Sequence, residues 1–434
     1  MCAARSRIIH PVFGQLALGV ERPEDHYQML HAGQFATALV WERHKPKDHW
    51  IKLNPDDPDI PDVLRAIQGN EDAFLTPNEF YGWRLVRLLA SLRACYVDLD
   101  GCTDYEEVRD TLLANRIPEP SAFNFSGRGL HLYWLLEPLP PKALPVWQRV
   151  QDELIRVLAP LGADPAAKDC TRVLRVCGSY NSKNGEEVRG CILDGHRWSL
   201  RQLAFEVLGR DGKGKKPAEV RDIRTKRKTP DKAIQGSIYA RWHLVFLDLM
   251  AISAHHDHNI PTGYRDKWLF LVGVALSWFT HPQGIEDEIL SLGRENTQLD
   301  PSEIVVANKT TIQRALDAAA GEKIQWRGQE VDPRYRFRRQ TLYEWLAPII
   351  PAGILPKLRA IIPNDVARER DKARNRAIEG RYSDNYTKQG VRASNQEKRA
   401  QAQRMRDAGA TFREIADELG VSHPAVIKWC GCGN

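Results

Sequence analysis

The stretch Cys95-Tyr-Val-Asp-Leu-Asp-Gly101 places two carboxylates, Asp98 and Asp100, one residue apart at the end of an apolar run. Ala94–Leu99 is β-prone and is closed by Gly101, so the pattern predicts a short, largely buried strand. Residues i and i+2 of a strand share a face, which sets both carboxylates side by side. Two such charges repel each other unless something cationic lies between them. Hard divalent ions favour oxygen ligands of this kind. The plainer alternative is an Asp-x-Asp that caps a strand at a solvated turn, and the rest of the chain has to decide between the two.

Upstream, Thr37–Trp41 and 50–54 read as short strands, while Asp62–Gln68 and Pro77–Leu92 carry helical spacing. The second of these helices rests on Phe80, Trp83, Val86, Leu89 and Ala90. Downstream, Tyr105–Asn115 is helical and stops before Pro118. Residues 122–125 then run into Ser126-Gly-Arg128-Gly-Leu-His131, where Gly127 and Gly129 mark a tight loop between two strands. A long helix follows over Pro145–Leu161. Strands and helices alternate to about residue 205, which argues for an α/β or α+β domain.

Beyond it, 210–232 has the glycine, proline and charge content of a flexible linker. Trp242–Ser253, Arg265–Thr280, Ile285–Glu295 and Thr310–Ala319 repeat apolar residues at helical spacing and predict an all-α domain. Gln325–Pro363 gives no clear assignment, and 364–395 is polar and basic. At the C-terminus Ala400–Ala408 is helical, and Thr411 with Glu414 forms a capping box for a helix to Leu419. Gly420 makes a turn, and Ser422 caps a last helix through Trp429. Ile415, Ala416, Leu419, Val421, Val426 and Trp429 are its expected core. This spacing is a helix-turn-helix signature, and Ala410–Trp429 resembles the helix-turn-helix of resolvases. Ser422, His423 and Lys428 are the DNA-facing candidates; so few polar readers argue against strong base specificity. The expected division is thus 1–209, a basic linker 210–235, a helical domain 236–325, a partly basic stretch 326–395, and a DNA-binding module 396–434.

With 42% apolar and 27% charged residues the chain is globular in composition. The formal charge of +6 is unevenly spread: Arg210–Lys232 carries ten Lys/Arg against four Asp/Glu, and Arg368–Arg406 twelve against five. Basic character gathered in two segments suits a polyanionic partner. No apolar run approaches the roughly 18 residues that span a membrane, and the N-terminus lacks the apolar core of a secretory signal. A cytoplasmic protein with no membrane partner is expected. Its eight cysteines lack the paired Cys-x-x-Cys spacing of a zinc site, although Cys170, Cys177 and Cys191 are candidates for one, and reduced thiols are the simpler expectation.

Chemistry concentrates in three segments. The first is Asp98-Leu-Asp100. The second is the 126–131 loop, whose backbone N–H groups can cradle phosphate while Arg128 and His131 donate to its oxygens. The third runs Asp164…Asp169-Cys-Thr-Arg172-Val-Leu-Arg175-Val-Cys-Gly178-Ser-Tyr-Asn-Ser-Lys183. Its basic residues around a polar turn suit a triphosphate or a template backbone.

In this order and spacing, the three segments resemble the motifs of the archaeo-eukaryotic primase superfamily, and within it the RepB-like replication primases of plasmids and phages. The likeness covers roughly residues 30–205 and departs from the usual pattern at Cys177, where a proline is customary. It implies an α+β catalytic domain with an RRM-like core, and two Mg²⁺ or Mn²⁺ ions held by Asp98, Asp100 and Asp164, with Asp169 as runner-up for the third position. It further implies nucleotide contacts from Ser126, Arg128 and His131, and from Arg175, Arg172 and Lys183. The implied partners are a single-stranded DNA template, nucleoside triphosphates, duplex DNA at the C-terminal module, and a replicative helicase or initiator. A second reading is a DNA-binding initiator or regulator on a degenerate primase fold; the retained acids and His131 speak against degeneracy. A third, an unrelated Asp-x-Asp nuclease, leaves the 126–131 loop unexplained.

Overall fold

The computed structural model describes residues 7–9, 16–43, 48–209, 237–280, 284–326, 328–379 and 388–430. The linker expected over 210–235 lies outside them. The chain divides into two compact units, Met1–Ile361 and Ile362–Asn434.

The first unit begins with β1 (Arg7–Ile9), β2 (Leu16–Val20) and α1 (Pro23–His31), followed by β3 (Ala38–Glu42), β4 (His49–Leu53) and α2 (Ile60–Ile67). Then come β5 (Ala73–Leu75), β6 (Glu79–Phe80), β7 (Leu89–Asp100) and α3 (Tyr105–Ala114). The hairpin β8 (Ala122–Phe125) and β9 (Gly129–Leu139) leads into α4 (Leu144–Leu158). Short strands β10 (Leu174–Arg175), β11 (Tyr180–Asn181), β12 (Glu186–Glu187) and β13 (Arg189–Ile192) precede α5 (Leu200–Leu208). Seven of these strands form an antiparallel sheet in the order β1-β2-β13-β8-β9-β7-β6, and a smaller sheet runs β10-β5-β3-β4. The fold is therefore mixed α+β, as the alternation of elements implied.

β7 is the spine. Residues Leu89 through Val97 are all buried, so it is sandwiched on both faces. β9 pairs along one edge, while β6 meets only the start of the other. Side chains satisfy the uncovered middle of that edge. Trp147 Nε1 of α4 donates to the Ala94 carbonyl at 2.9 Å, Gln151 accepts from Tyr96 N–H at 3.1 Å and donates to its carbonyl, and Asn78 accepts from Arg93 N–H at 2.8 Å. A buried backbone edge has to be paired in some such way.

The helix expected over Pro77–Leu92 does not form. Glu79–Phe80 is β6, Val86–Leu88 is a single 3₁₀ turn, and Leu89 already belongs to β7. The apolar spacing there reflects a doubly buried strand preceded by a loop, which periodicity does not separate from a buried helix. The loop is anchored where Val86 N–H donates to the Glu288 carboxylate at 2.9 Å.

That carboxylate belongs to a helical layer of α6 (Ile238–His255), α7 (Arg265–Leu276), α8 (Ile285–Thr297) and α9 (Pro301–Ala319). α9 starts nine residues before the expected Thr310, at a capping box formed by Asp300 and Glu303. Close packing explains the small residues: a Cβ on Gly293 would stand 2.7 Å from Ile304 Cδ1. The unassigned stretch then supplies a hairpin, β14 (Ile324–Trp326) and β15 (Gln329–Val331), and α10 (Arg339–Leu346).

The second unit contains α11 (Asn364–Glu379), α12 (Lys388–Asp407), α13 (Phe412–Leu419) and α14 (His423–Cys430). Thr411 and Glu414 form the reciprocal capping box, and Gly420 closes α13 at φ 58°. Ala402, Ile415, Ala416, Leu419 and Val426 make the core, with Val421 and Trp429 partly buried against it. Ser422, His423 and Lys428 are exposed. Among the described residues no helix is long and apolar enough to cross a membrane.

Candidate active site

β7 ends in Asp98 and Asp100, on one face as the alternation requires. Directly across the ladder His131 of β9 pairs with Asp98 and Gly129 with Asp100. His131 Nε2 therefore stands 3.5 Å from Asp98 Oδ1. The β8–β9 turn carries Ser126, Gly127 and Arg128, and Gly127 adopts φ +93°, a conformation that suits glycine. The other flank of β7 is joined by 162–164: Asp100 N–H donates to the Gly162 carbonyl at 2.9 Å, and Asp164 N–H to the Asp98 carbonyl at 2.8 Å. Main-chain pairing thus brings Asp164 beside Asp98 from 66 positions away in sequence.

A cleft of about 620 Å³ opens over this floor, lined among others by Asp98, Asp100, Ser126, Arg128, His131, Arg175 and Lys183. Three segments far apart in sequence therefore meet. Asn181 holds two of them together, donating from Nδ2 to the Ser126 carbonyl at 2.7 Å and accepting from Lys183 N–H at 3.1 Å.

Asp164 and Arg172 do not line the cleft; they face each other instead. Arg172 donates to Asp164 Oδ2 at 2.9 Å, and the other oxygen accepts from Ala166 N–H at 2.8 Å. Asp169 is buried, its Oδ1 taken by Thr171 N–H and hydroxyl, and it does not line the cleft. Among the described residues no group of three or more His, Cys, Asp or Glu side chains is arranged to hold a metal ion. Cys170, Cys177 and Cys191 are free and buried.

The electrostatics follow from crowding. Burial pushes the Asp98 carboxyl up to about 6; Arg172 opposes the rise and Asp164 adds to it. Burial, then Asp98 and Asp164, raise Asp100 as well. Burial drives His131 down to about 3, helped by the Arg175 and Arg172 charges, so its imidazole is neutral at pH 7. Arg43, Arg128 and Lys183 are exposed around the rim with no ion-pair partner among the described residues. The cleft therefore joins an acidic floor to a cationic rim.

Sequence reasoning did not single out Asp72, Trp41, Arg43 or Phe74. Asp72 lies 103 positions before Arg175 yet binds its guanidinium and accepts from the Ser182 hydroxyl and N–H. Burial alone would raise Asp72; the Ser182 and Arg175 hydrogen bonds outweigh it and hold the carboxyl below its ordinary value. Nothing in the local sequence marks this acid, because its partners arrive through the pairing of β10 with β5. Asp72→Asn is expected to cost about 3 kcal/mol by leaving Arg175 uncompensated. Urea unfolding at pH 7 measures this. The wild-type contribution of Asp72 is present above the ordinary carboxylate pKa and is lost as pH falls through the lowered value.

No family model matches the chain. A replication protein of Clostridium perfringens is 29% identical over 294 residues, covering 64% of this chain and 65% of that protein. The chain is similar to a replication protein. It spans about 65% of the length of that relative. Among solved structures, the AEP domain of the cyanophage S-2L primase-polymerase is 21% identical with a TM-score of 0.34, over 43% of this chain and 96% of that one. The primase RepB′ is 13% identical with a TM-score of 0.30, over 69% of this chain and 93% of that one.

Proposed function

We propose that the chain is a DNA primase of the archaeo-eukaryotic, RepB-like kind, active in the replication of a mobile element. The observation that carries this reading is the single cleft uniting Asp98 and Asp100, the Ser126–His131 loop, and Arg175 with Lys183. An acidic floor beneath a cationic rim suits a nucleoside triphosphate with divalent cations. Asp98 and Asp100 fit such a cation: they are hard oxygen donors on one face, crowded enough that burial and like charge raise both. Asp164 adjoins them, but Arg172 and Ala166 N–H engage its oxygens, so it becomes a ligand only when Arg172 releases it. A pair of Mg²⁺ or Mn²⁺ ions supplies neutralisation of pyrophosphate charge and acidification of the attacking 3′-hydroxyl.

The residues of the chain do the positioning, which supplies most of the catalysis in phosphoryl transfer. Arg128 and Lys183 meet the triphosphate at the rim, and Arg175 reaches it from a fixed stance against Asp72. Neutral His131 donates or accepts one hydrogen bond beside Asp98 without adding charge to the floor. α13 and α14 serve duplex DNA, presenting Ser422, His423 and Lys428.

The test incubates the protein with single-stranded template, labelled nucleotides and Mg²⁺ or Mn²⁺. Short labelled products that are absent with Asp100→Ala support the reading. Shortened template points instead to a nuclease, and DNA binding without synthesis to a non-catalytic initiator.

A further inference from the structure

The smaller sheet turns one face inward and leaves the other incompletely covered. Val40, Leu53, Leu75 and Leu174 point to the buried side. On the opposite side the strand register lines up one residue per strand: Arg175 of β10 opposite Phe74 of β5, Phe74 opposite Trp41 of β3, and Trp41 opposite Trp50 of β4. Phe74 and Trp41 are stacked at 4.7 Å between ring centroids, and Trp41 and Trp50 at 5.6 Å. Trp83 adds an edge-on ring 5.2 Å from Trp50. All four rings are half-buried, and guanidinium groups close the two ends of the row, Arg84 over the Trp50 ring at 4.6 Å and Arg175 over the Phe74 ring at 4.8 Å.

Two features separate this row from an incomplete core. It is continuous with the cleft, since Arg175, Phe74 and Trp41 line the same opening as Asp98 and Asp100. It also carries cations on its exposed side. Lys52, two residues along β4 from Trp50, is exposed and lies 5.9 Å from the Trp83 ring centre; Arg43 is exposed two residues beyond Trp41. Neither has an ion-pair partner among the described residues. The acid between Trp41 and Arg43, Glu42, is buried and points to the other face, where it meets His49.

Aromatic rings interleaved with unpaired cations on an open sheet face suit single-stranded nucleic acid. Bases pack against the exposed ring edges and the guanidinium planes at the ends of the row while the backbone follows the positive charge. Duplex DNA keeps its bases stacked on one another and offers such rings nothing to hold. We propose that the Phe74–Trp41–Trp50–Trp83 row, with Lys52 and Arg43, is a platform for single-stranded DNA that leads the template away from the cleft. The platform rests on the reading of the cleft as a primase site, but its own binding is measurable without synthesis.

Trp50 and Lys52 lie outside the cleft lining, so substituting them leaves the reaction centre in place. Fluorescence titration of the full chain with an oligo-dT strand, without nucleotides, is the direct measurement. Trp50→Leu and Lys52→Glu are each expected to weaken the strand's affinity about tenfold. Primer synthesis should fall at limiting template and recover at saturating template. Lys52→Glu also controls for folding, since it changes an exposed side chain. Unchanged oligo-dT affinity in both variants would overturn the platform, as would loss of synthesis that saturating template does not restore. Loss of synthesis in Asp100→Ala with oligo-dT affinity retained keeps the two sites distinct. Weakened oligo-dT binding in a protein that synthesises nothing would sink the primase reading and leave the platform standing.

Discussion

Asp98→Asn is expected to abolish nucleotide incorporation and, at the same time, to make the metal-free protein more stable at neutral pH. The two effects have one cause. The carboxylate sits a quarter exposed at the cleft floor, where burial pushes it up to about 6. A carboxyl whose folded pKa lies above its unfolded value favours folding while protonated. That stability is fully present below about pH 4 and is lost as pH rises through about 6. At pH 7 the ionised group therefore costs folding ~3 kcal/mol, taking 1.36 kcal/mol per pKa unit. Asparagine keeps the shape and drops the charge, so urea unfolding at pH 7 should give a higher midpoint, and the pH dependence between 4 and 6 should flatten. Adding Mg²⁺ or Mn²⁺ should raise the wild-type midpoint and leave the variant's unchanged, since ligand binding to the folded state alone adds stability. A variant that is less stable than wild type at pH 7, or one that still incorporates nucleotide, would remove Asp98 from the centre of the site.

Gly129→Ala is the second large effect, and it acts through the backbone. A Cβ at this position would stand 1.7 Å from the Leu99 carbonyl oxygen and 3.4 Å from Asp100 Cα. The obstacle is main chain, so no rotamer change relieves it, and the β7–β9 ladder has to part where Asp100 opposes Gly129. Overpacking against flexible neighbours costs about 1–3 kcal/mol, and a backbone collision belongs at or above the top of that range. The displaced residues are Asp100, Arg128 and Ser126, whose N–H donates to the Gly129 carbonyl at 2.9 Å. Stability and synthesis should therefore fall together. Gly33→Ala is the matched control: φ is +69° there, but the added Cβ meets nothing within 4 Å, so only the left-handed strain of about 1–2 kcal/mol applies. Thermal unfolding of both variants separates collision from strain, and equal losses would show that close approach at Gly129 is not what requires glycine.

Local chemistry made much of the site legible. Asp98 and Asp100 on one face follow from strand alternation, and the 126–131 turn from its glycines. The C-terminal capping box follows from Thr411 and Glu414, whose partners lie three residues away. Pairings across long separations were not legible. The Pro77–Leu92 stretch had helical spacing, yet its residues were spent on a loop and on a strand buried on both faces. Asp72 and the Phe74–Trp41–Trp50 row carried no local mark, because register between strands, not spacing within one, sets their neighbours.

The same division holds at the acidic pair first read from Cys95–Gly101. Sequence by itself determined that two carboxylates share a strand face, since the two-residue period of a strand leaves no other arrangement. Tertiary structure alone decided what surrounds them: His131 opposite Asp98, Asp164 drawn alongside by main-chain hydrogen bonds, and Arg172 rather than the cleft engaging Asp164's carboxylate. Those outcomes depend on which strands pair and in what register, and the sheet as a whole sets that through burial of β7 on both faces.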